Sequence, residues 1–385
     1  MKIGINASFA RKPSTGIGQV TVNFLKKLAA QKTDDEYILY LEEDLPEDIK
    51  LPKNFQKRIF LPFWKRDDLV RKILWEKYLL PGKIEKDGCE IFLSLYQSPT
   101  VVPEDIEHMI VVHDIVPKLF PEYLNNYRKR KYWNLTEEAI RKADKILAVS
   151  SRTEKDLIQH LGIDPKKITV NHIDCDEIYK KAITPTVGSK VLKKYKLKPG
   201  YIYNGGGLEV RKNTLGVIQA YKYLLERNKN EHFLHEMPKL VISGRLLPKL
   251  KPLVDDIEAV IKDLDLSNHV EILDFVPQAD LPALYKNAIM FVYPSYYEGF
   301  GLPVLEAMNV GTPVVTAKSS SLPEIGQDGV LYCEPKDHKD IAMVMKNVLI
   351  NPELRASLSA RGKERAQKFS WEKFITKIFN IIEEL

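Results

Sequence analysis

The chain has 385 residues, of which 44% are hydrophobic and 29% are charged, and its formal net charge is +6. This length exceeds what one ordinary hydrophobic core accommodates, so we expect two domains. The composition excludes a disordered or fibrous protein. Because acidic and basic residues are interspersed, the small positive excess does not indicate a nucleic-acid-binding protein.

The cysteines and the N-terminus indicate the compartment. Cys89, Cys175 and Cys333 are isolated and form no CxxC pair, which argues against a disulfide framework or a structural zinc site. Met1–Asn6 runs directly into a strand-like pattern and lacks the apolar core of a signal peptide. No stretch approaches the roughly 18 apolar residues that cross a bilayer. We therefore expect a cytoplasmic protein, with peripheral contact at the inner face of the membrane as an open alternative.

Short β-branched segments alternate with longer helical patterns along the chain. Most are continuous apolar runs, as expected of parallel strands covered on both faces. Alternation of strands with helices indicates βαβ units and an α/β fold with doubly wound sheets. The predicted strands are Lys2–Asn6, Tyr37–Leu41, Ile91–Leu95, Met109–His113, Lys145–Val149, Ile168–Asn171, Tyr201–Asn204, Lys239–Ser243, Val270–Leu273, Met290–Tyr293, Pro313–Thr316 and Val330–Cys333.

The same local pattern opens each half of the chain. Lys2–Ala30 reads as a strand, a glycine loop at Gly16-Ile17-Gly18 and an amphipathic helix. Tyr201–Arg227 repeats this order with Gly205-Gly206-Gly207 in the loop. The repetition predicts that a second Rossmann-like unit begins near Tyr201.

Between the two patterns, Ala182–Gly200 contains two prolines and several lysines, as a linker region does. We therefore predict one Rossmann-like domain over residues 1–180 and another over residues 181–370. The last segment, 371–385, is an amphipathic helix that we expect to cover a sheet edge.

The most specific pattern is Pro294–Met308, which follows an apolar strand and opens a helix. Pro303 falls in the first helical turn, where proline is favoured. Gly299 and Gly301 allow the backbone to approach a ligand, and the helix N-terminus behind them offers N–H groups. Open α/β sheets bind ligands at such corners, at the carboxyl ends of their strands.

Two glutamates flank this corner, Glu298 in the loop and Glu306 about one turn into the helix. Carboxylates accept hydrogen bonds from the vicinal hydroxyls of a ribose or a hexose. Either residue alone fits a solvated surface position. Two glutamates that bracket a glycine-rich helix entry favour a sugar-binding role.

A second group is the glycine run at Gly206 followed by Arg211 and Lys212. Glycines after the first strand of a Rossmann-like unit suit a phosphate, and the two cations add charge-assisted donors. The spacing differs from GxGxxG, so a dinucleotide site does not follow. An Arg-Lys pair is commonly a plain surface pair, but beside these glycines it suits a nucleoside diphosphate leaving group.

Three further features have less specific interpretations. His113 ends an apolar strand and could exchange a hydrogen bond with a ligand hydroxyl, or serve only structurally. Asp174-Cys175-Asp176 matches an Asp-x-Asp metal motif, but it falls at the interdomain turn, and we expect no metal site and no cofactor. The basic, aromatic segments Tyr123–Arg141 and Phe63–Arg66 fit either a solvated surface or contact with an anionic membrane.

At these residues the chain resembles glycosyltransferase family 4, the retaining enzymes with the GT-B fold. Ser295–Glu306 matches that family's motif of two glutamates separated by seven residues. In detail the chain is similar to the bacterial mannosyltransferases of polysaccharide assembly. The other matching segments are Gly16-Ile17-Gly18, Trp75-Glu76, Leu80-Pro81, His113-Asp114-Ile115, Phe120-Pro121, Ala143–Ser150, Val314-Val315, Leu322-Pro323-Glu324 and Phe369-Ser370-Trp371.

The resemblance implies two Rossmann-like, doubly wound parallel-sheet domains that face each other across a cleft. The N-terminal domain would be the acceptor side, completed by helix 371–385, and the C-terminal domain would bind the nucleotide-sugar donor. The implied reaction is metal-independent, retaining transfer of a hexose to a hydroxyl of a glycan or lipid-linked saccharide. The resemblance favours mannose as the hexose and GDP-mannose as its donor.

The resemblance also assigns roles to residues. His113 and Glu298 would contact the donor sugar as the catalytic pair, Glu306 would accept from the ribose, and Gly18 would approach the phosphates from the N-terminal domain. The implied donor-binding residues are Gly16, Gly18, Gly206, Arg211, Lys212, Gly299, Phe300, Gly301, Leu302 and Glu306. Three alternatives remain open: a UDP-sugar donor, a GT-B nucleotide-sugar epimerase that needs no acceptor, and a non-catalytic sugar-nucleotide sensor.

Overall fold

The computed structural model describes residues 1–61, 68–246 and 252–384, so the basic segment Phe63–Arg66 lies outside the described residues. The chain forms two compact units. Unit 1 is Met1–Asp174 together with the C-terminal segment from Ser370, and unit 2 is Cys175–Phe369. The sequence predicts the change of domain at residue 180, whereas the chain passes from unit 1 to unit 2 after Asp174.

Each unit contains one parallel β-sheet. The strands of unit 1 are β1 (Lys2–Asn6), β2 (Glu36–Leu41), β3 (Phe55–Ile59), β4 (Ile91–Ser94), β5 (Glu107–Val112), β6 (Lys145–Ala148) and β7 (Ile168–Val170), in the order β3-β2-β1-β4-β5-β6-β7. Those of unit 2 are β8 (Tyr201–Asn204), β9 (Leu240–Ser243), β10 (Val270–Leu273), β11 (Ala288–Tyr293), β12 (Val314–Ala317) and β13 (Leu331–Cys333), in the order β10-β9-β8-β11-β12-β13. In both sheets the strand order reverses beside the first strand of the unit, which is the doubly wound topology predicted.

Helices connect the strands. Those of unit 1 are α1 (Gly16–Ala29), α2 (Leu69–Ile73), α3 (Leu80–Lys86), α4 (Val116–Leu119), α5 (Tyr127–Lys142) and α6 (Ser151–Leu161), with a π-helical turn, Leu74–Leu79, between α2 and α3. Those of unit 2 are α7 (Pro185–Lys194), α8 (Thr214–Glu231), α9 (Ile257–Asp263), α10 (Leu281–Asn287), α11 (Leu302–Val310), α12 (Leu322–Gly326), α13 (His338–Ile350) and α14 (Pro352–Ala366), and the last helix is α15 (Trp371–Glu383). The three cysteines are buried free thiols.

The twelve predicted strands are all present, with ends within two residues of those predicted. Strand β3 was not predicted. It lies at the edge of the first sheet, and of its residues only Phe55 is buried. An edge strand with exposed polar residues shows no continuous apolar run, so its sequence lacks the signal that identified the others.

The C-terminal helix α15 belongs to unit 1. Ser370 caps its N-terminus by accepting from the Lys373 N–H. Its buried side chains recur at helical spacing and form one apolar face: Trp371, Phe374, Ile375, Ile378, Ile381 and Ile382. Phe374 meets Phe24 of α1 edge to face, with ring centroids 6.1 Å apart. The Asn171 side-chain amide donates to the Phe374 carbonyl at 2.9 Å, so both ends of the chain build this unit.

We expect Phe374→Ala to destabilise unit 1 by about 3–5 kcal/mol, the usual cost of deleting a buried phenylalanine ring. Hydrogen exchange of the β1 and α1 amides should become faster, while the α8 amides of unit 2 keep their protection. Glu372→Gln is the control, because this side chain is 60% exposed and its ion pair with Lys27 lies at the surface. Equal protection of unit 1 in both variants would contradict the packing described for α15.

Candidate active site

The predicted strand–loop–helix corner is present between β11 and α11. Gly301 occupies the N-cap of α11 with φ +113°, and a Cβ there would lie 2.9 Å from Leu322 Cδ2. Only glycine fits this backbone and this space. As a glycine, the N-cap residue Gly301 supplies no side-chain cap to α11. Helix N-termini carry a positive dipole end that favours anions.

Glu298 is buried and accepts hydrogen bonds on both carboxylate oxygens. Oε1 accepts from Lys212 Nζ, Tyr293 OH and Ser295 Oγ, each at 2.7 Å. Oε2 accepts from Lys212 Nζ at 2.9 Å and from a terminal guanidinium nitrogen of Arg211 at 3.2 Å. Glu298 is therefore the centre of an ion cluster and not a solvated loop residue.

The charges of this cluster are balanced. Burial by itself raises the pKa of Glu298, but Lys212 and Arg211 hold it down at about 2. Burial also lowers the pKa of Lys212, and the carboxylate of Glu298 opposes that shift. Arg211 Nε donates to Glu209 Oε2 at 2.7 Å, so two carboxylates face two cations.

Local structure fixes the two cations in place. Arg211 and Lys212 are the last residues of a short 3-10 helix, Val210–Lys212. Asn213 caps this helix in the left-handed conformation, with φ +59°. The Asn213 amide donates to the Pro294 carbonyl at 3.1 Å and to the Pro335 carbonyl at 2.6 Å. Gly206 has φ +97°, and a Cβ there would lie 3.0 Å from Pro303 Cγ. The glycine loop after β8 therefore packs directly against the entry of α11.

Glu306 lies on α11, and its environment is the opposite of that of Glu298. It is buried, and its Oε2 accepts from Tyr285 OH at 3.0 Å. Burial raises the pKa of Glu306 to about 7, against the lowering effect of the Tyr285 and Tyr179 hydroxyls, and Asp176 adds to the rise. The two glutamates of one motif are thus a fixed anion and a carboxyl that titrates near neutral pH.

In unit 1, His113 follows β5 at the carboxyl edge of the sheet. Its Nε2 lies 2.9 Å from the Leu95 carbonyl oxygen, and a carbonyl only accepts, so Nε2 carries the proton. Burial lowers the pKa of His113, which keeps the ring neutral and leaves Nδ1 as a hydrogen-bond acceptor. Its backbone N–H donates to the Gln97 side chain at 3.2 Å.

Gly16 and Gly18 differ in whether the local structure requires glycine. Gly16 is the first residue of α1, and nothing lies within 4 Å of where its Cβ would be. At Gly18 a Cβ would lie 1.9 Å from the Lys12 carbonyl oxygen, so the turn itself requires glycine. Thr15 caps α1 by accepting from the Gly18 N–H at 3.1 Å.

The predicted site residues therefore divide between the units. Unit 2 brings together the glycine loop, both cations, both glutamates and the corner, that is Gly206, Arg211, Lys212, Glu298, Gly299, Phe300, Gly301, Leu302 and Glu306. Gly16, Gly18 and His113 lie in unit 1.

Several residues that hold the corner together were missed. The Ser319 hydroxyl donates to the Ser295 carbonyl at 2.9 Å, and Ser320 Oγ accepts from the Glu298 N–H at 2.9 Å. Ser321 Oγ donates to the carbonyls of Glu298 and Phe300 at 3.0 and 2.7 Å. A run of three serines just before a helix is a usable signal, because short hydroxyl side chains bond to nearby backbone.

In the Asp-x-Asp segment, the second residue, Asp176, has a structural role. Asp176 accepts from the Ile178 N–H at 2.9 Å and caps a short 3-10 helix, Glu177–Tyr179. Within residues 1–61, 68–246 and 252–384, no three His, Cys, Asp or Glu side chains are grouped closely enough to hold a metal ion.

Comparison with known proteins identifies the family. Residues 14–174 match the family described as Glycosyltransferase Family 4, and residues 190–365 match that described as Glycosyl transferases group 1. The structure is similar to that of Anabaena Alr3699/HepE in complex with UDP-glucose, with a TM-score of 0.75, 18% identity and all of both chains covered. The fold is that of the GT-B glycosyltransferases.

The chain is 30% identical over 392 residues to O-antigen chain mannosyltransferase B of Escherichia coli, with 99% of each chain covered. It is 27% identical over 241 residues to O-antigen chain mannosyltransferase RfbU of Salmonella typhimurium, with 62% of this chain and 60% of that protein covered. The chain belongs to glycosyltransferase family 4 and is a glycosyltransferase.

The two glutamates should have opposite effects on stability. The raised pKa of Glu306, about 7, means that the folded state loses stability as pH rises from about 4.5 to 7. Glu306→Gln should therefore stabilise unit 2 by up to roughly 3 kcal/mol at pH 8 and have little effect at pH 5. The lowered pKa of Glu298, about 2, stabilises the fold above pH 4.5 and loses that effect as pH falls through 2.

Glu298→Gln should accordingly destabilise unit 2 by about 3–5 kcal/mol at pH 8, because it also leaves Lys212 buried without its anion. Hydrogen exchange of the β11 and α11 amides at pH 5 and pH 8 measures both effects. A shift of the same sign in the two variants at pH 8 would contradict this electrostatic assignment.

Proposed function

We propose that this chain is a retaining, metal-independent mannosyltransferase that transfers mannose from GDP-mannose to a hydroxyl of a glycan or lipid-linked saccharide. The observation that carries the proposal is the cluster of Arg211, Lys212 and Glu298 at the glycine-rich entry of α11. It occurs in a chain that is 30% identical, over its whole length, to an O-antigen chain mannosyltransferase.

The donor diphosphate would lie against Arg211 and Lys212, with the backbone at Gly206 and the N-terminus of α11 supplying N–H groups. Anion-binding groups of this kind stabilise the charge that develops on a departing diphosphate. Glu298 and the backbone of Gly299–Leu302 would contact the donor sugar. Glu306 would accept from the ribose hydroxyls, a role supported by the finding that no described cation pairs with it.

Transfer with retention needs no carboxylate nucleophile. The bond from the anomeric carbon to the phosphate oxygen breaks, and the acceptor oxygen attacks from the same face. The departing phosphate oxygen takes the acceptor's proton. Two features support this route: the lone pairs of Glu298 are occupied by five hydrogen bonds, and the pKa of Glu298, about 2, makes it a poor base. His113, with a neutral ring, would accept from a hydroxyl of the donor sugar.

A UDP-sugar donor is the second candidate, because a protein of the same fold was solved in complex with UDP-glucose. A thermal-shift panel of GDP, UDP, ADP and their sugars separates the two, since binding to the folded state raises its unfolding midpoint.

Incubation with each nucleotide sugar alone tests for epimerase activity, which would give an isomerised sugar without an acceptor.

We expect Lys212→Ala and Glu306→Ala to weaken GDP binding by about 10- to 100-fold, the effect of losing a charge-assisted contact worth about 1.5–3 kcal/mol. Glu298→Ala should mainly lower turnover. Calorimetric titration measures the affinities, and Lys239→Ala, at a lysine of unit 2 that is 57% exposed, is the matched control.

EDTA should leave both affinity and turnover unchanged, because two cations and a helix N-terminus already face the diphosphate. Unaltered GDP and UDP affinity in the Lys212 and Glu306 variants would place the donor elsewhere. Activity that EDTA abolishes and magnesium or manganese restores would refute metal independence.

We also propose peripheral contact between unit 1 and an anionic membrane. Among the described residues, no helix combines the length and apolar composition that a bilayer crossing requires. The start of α5 presents Tyr127, which is 69% exposed, together with exposed Arg128, Arg130 and Lys131. Basic residues beside an exposed aromatic ring suit the headgroup region of an anionic bilayer.

Arg128→Glu with Lys131→Glu should reduce co-sedimentation with phosphatidylglycerol vesicles by at least ten-fold, because each basic residue near such a surface contributes about 1 kcal/mol. The matched control is Lys336→Glu with Lys339→Glu, which makes the same charge change at exposed positions of unit 2. Binding of the wild type should also weaken with added salt. If both double variants sediment like the wild type, α5 does not contact the membrane.

A further inference from the structure

A second ion cluster lies in unit 1, and none of its members is a residue assigned to the donor. It includes Asn6 at the end of β1, Tyr96 just after β4, and Glu76 on the π-helical turn Leu74–Leu79. Parallel sheets bind ligands at the carboxyl ends of their strands. Turns of π-helix are rare and frequently occur at functional sites.

Glu76 is fully buried and held on both carboxylate oxygens. Oε1 accepts from Tyr96 OH at 2.5 Å, and Oε2 accepts from Tyr132 OH at 2.9 Å. Since Tyr96 donates its one proton to Glu76, the Ser8 hydroxyl at 2.8 Å and the Asn6 amide at 3.2 Å must donate to Tyr96. This network fixes the carboxylate between α5, β4 and the segment after β1.

Lys72 lies beside Glu76 but does not hydrogen-bond to it. Its Nζ is 3.7 Å from Glu76 Oε1 and lies over three aromatic rings, 4.6 Å from the centroid of Phe9, 5.2 Å from that of Tyr96 and 4.9 Å from that of Tyr132. The carboxylate and the ring faces compensate its charge.

The N–H groups of Lys72 are not satisfied in the same way. An ammonium has three donors, and within the described part of the chain Nζ makes no hydrogen bond. The Lys72 side chain is 20% exposed, so part of it borders solvent. A purely structural ion pair would be expected to bring Nζ into hydrogen-bonding distance of the carboxylate.

We propose that Lys72 binds the acceptor, donating hydrogen bonds to hydroxyl oxygens of a neutral saccharide unit, with Glu76, Tyr96 and Tyr132 as positioning residues. Within the described part of the chain, the Lys72 ammonium has a counter-charge in Glu76 but no hydrogen-bond acceptor. A neutral sugar supplies acceptor oxygens without adding a charge. The inference rests on the proposed transfer to a saccharide. Arg11 and Lys12 also act electrostatically on Lys72, so a phosphate is the competing ligand that the test must separate.

The test uses the full chain and methyl α-D-mannopyranoside, titrated with and without saturating GDP and followed by saturation-transfer NMR. Lys72→Met keeps the aliphatic stem and removes the donors, and it should weaken glycoside binding about ten-fold or more. GDP affinity should stay within two-fold of the wild type. Lys155→Met, at an exposed lysine of the same unit, is the control and should leave glycoside binding unchanged.

Lys72→Met alone leaves Glu76 buried beside an apolar side chain and could impair folding. The double variant Lys72→Met with Glu76→Gln replaces the pair by neutral groups of similar size, and it should lose glycoside binding to the same extent. A purely structural role predicts instead that glycoside and GDP affinity change together with stability.

Three results would overturn the assignment: equal glycoside binding by wild type and Lys72→Met, no glycoside binding by the wild type, or displacement of the glycoside from the wild type by inorganic phosphate. The last result would identify an anion site. Failure of the proposed function is visible separately, because the wild type would then bind neither GDP nor UDP, while the comparison of glycoside affinities can still be made.

Discussion

The buried ion pair of Lys212 and Glu298 is the interaction on which the candidate active site depends. Removing two charges from water is unfavourable unless each is also hydrogen-bonded. Here Tyr293, Ser295 and Arg211 supply the remaining bonds of the carboxylate. The pair joins the loop after β8 to the loop after β11, whose strands are neighbours in the sheet. A ligand that enters therefore meets cations already fixed in position and does not have to order them.

The same motif places a second glutamate eight positions later in a different electrostatic setting. Among residues 1–61, 68–246 and 252–384, no cation pairs with Glu306, and burial raises its pKa to about 7. A carboxyl near half-protonation can accept a hydrogen bond or donate one, which suits a hydroxyl pair that does both. Glu298 cannot do this, because its oxygens are occupied and its charge is fixed. Two identical side chains in one motif thus acquire different chemistry from their neighbours alone.

Much of the fold and of the candidate active site could be predicted from the sequence. Continuous apolar runs identified every buried strand, and the glycines, the proline and the paired glutamates marked the corner at Gly301. The edge strand β3 gave no such signal. The pairing of Glu298 with Lys212 could not be predicted either, because these residues are 86 positions apart and only the adjacency of β8 and β11 brings them together. Sequence spacing shows which residues share one loop. Which residues pair across different loops depends on the order of the strands in the sheet.

In the two proposed roles, clusters with a shared topology would bind different ligands. Both lie at the carboxyl ends of doubly wound sheets, and each contains a lysine beside a buried glutamate. In unit 2 the lysine uses its N–H donors on Tyr293 and Glu298, so the ligand must offer enough charge to compete with a carboxylate. A diphosphate does so. In unit 1 the charge of Lys72 is compensated by Glu76 and ring faces, while Nζ makes no hydrogen bond to the described residues, so the proposed ligand would need only oxygen atoms to bind. A transferase that joins a charged donor to a neutral acceptor needs one site of each kind.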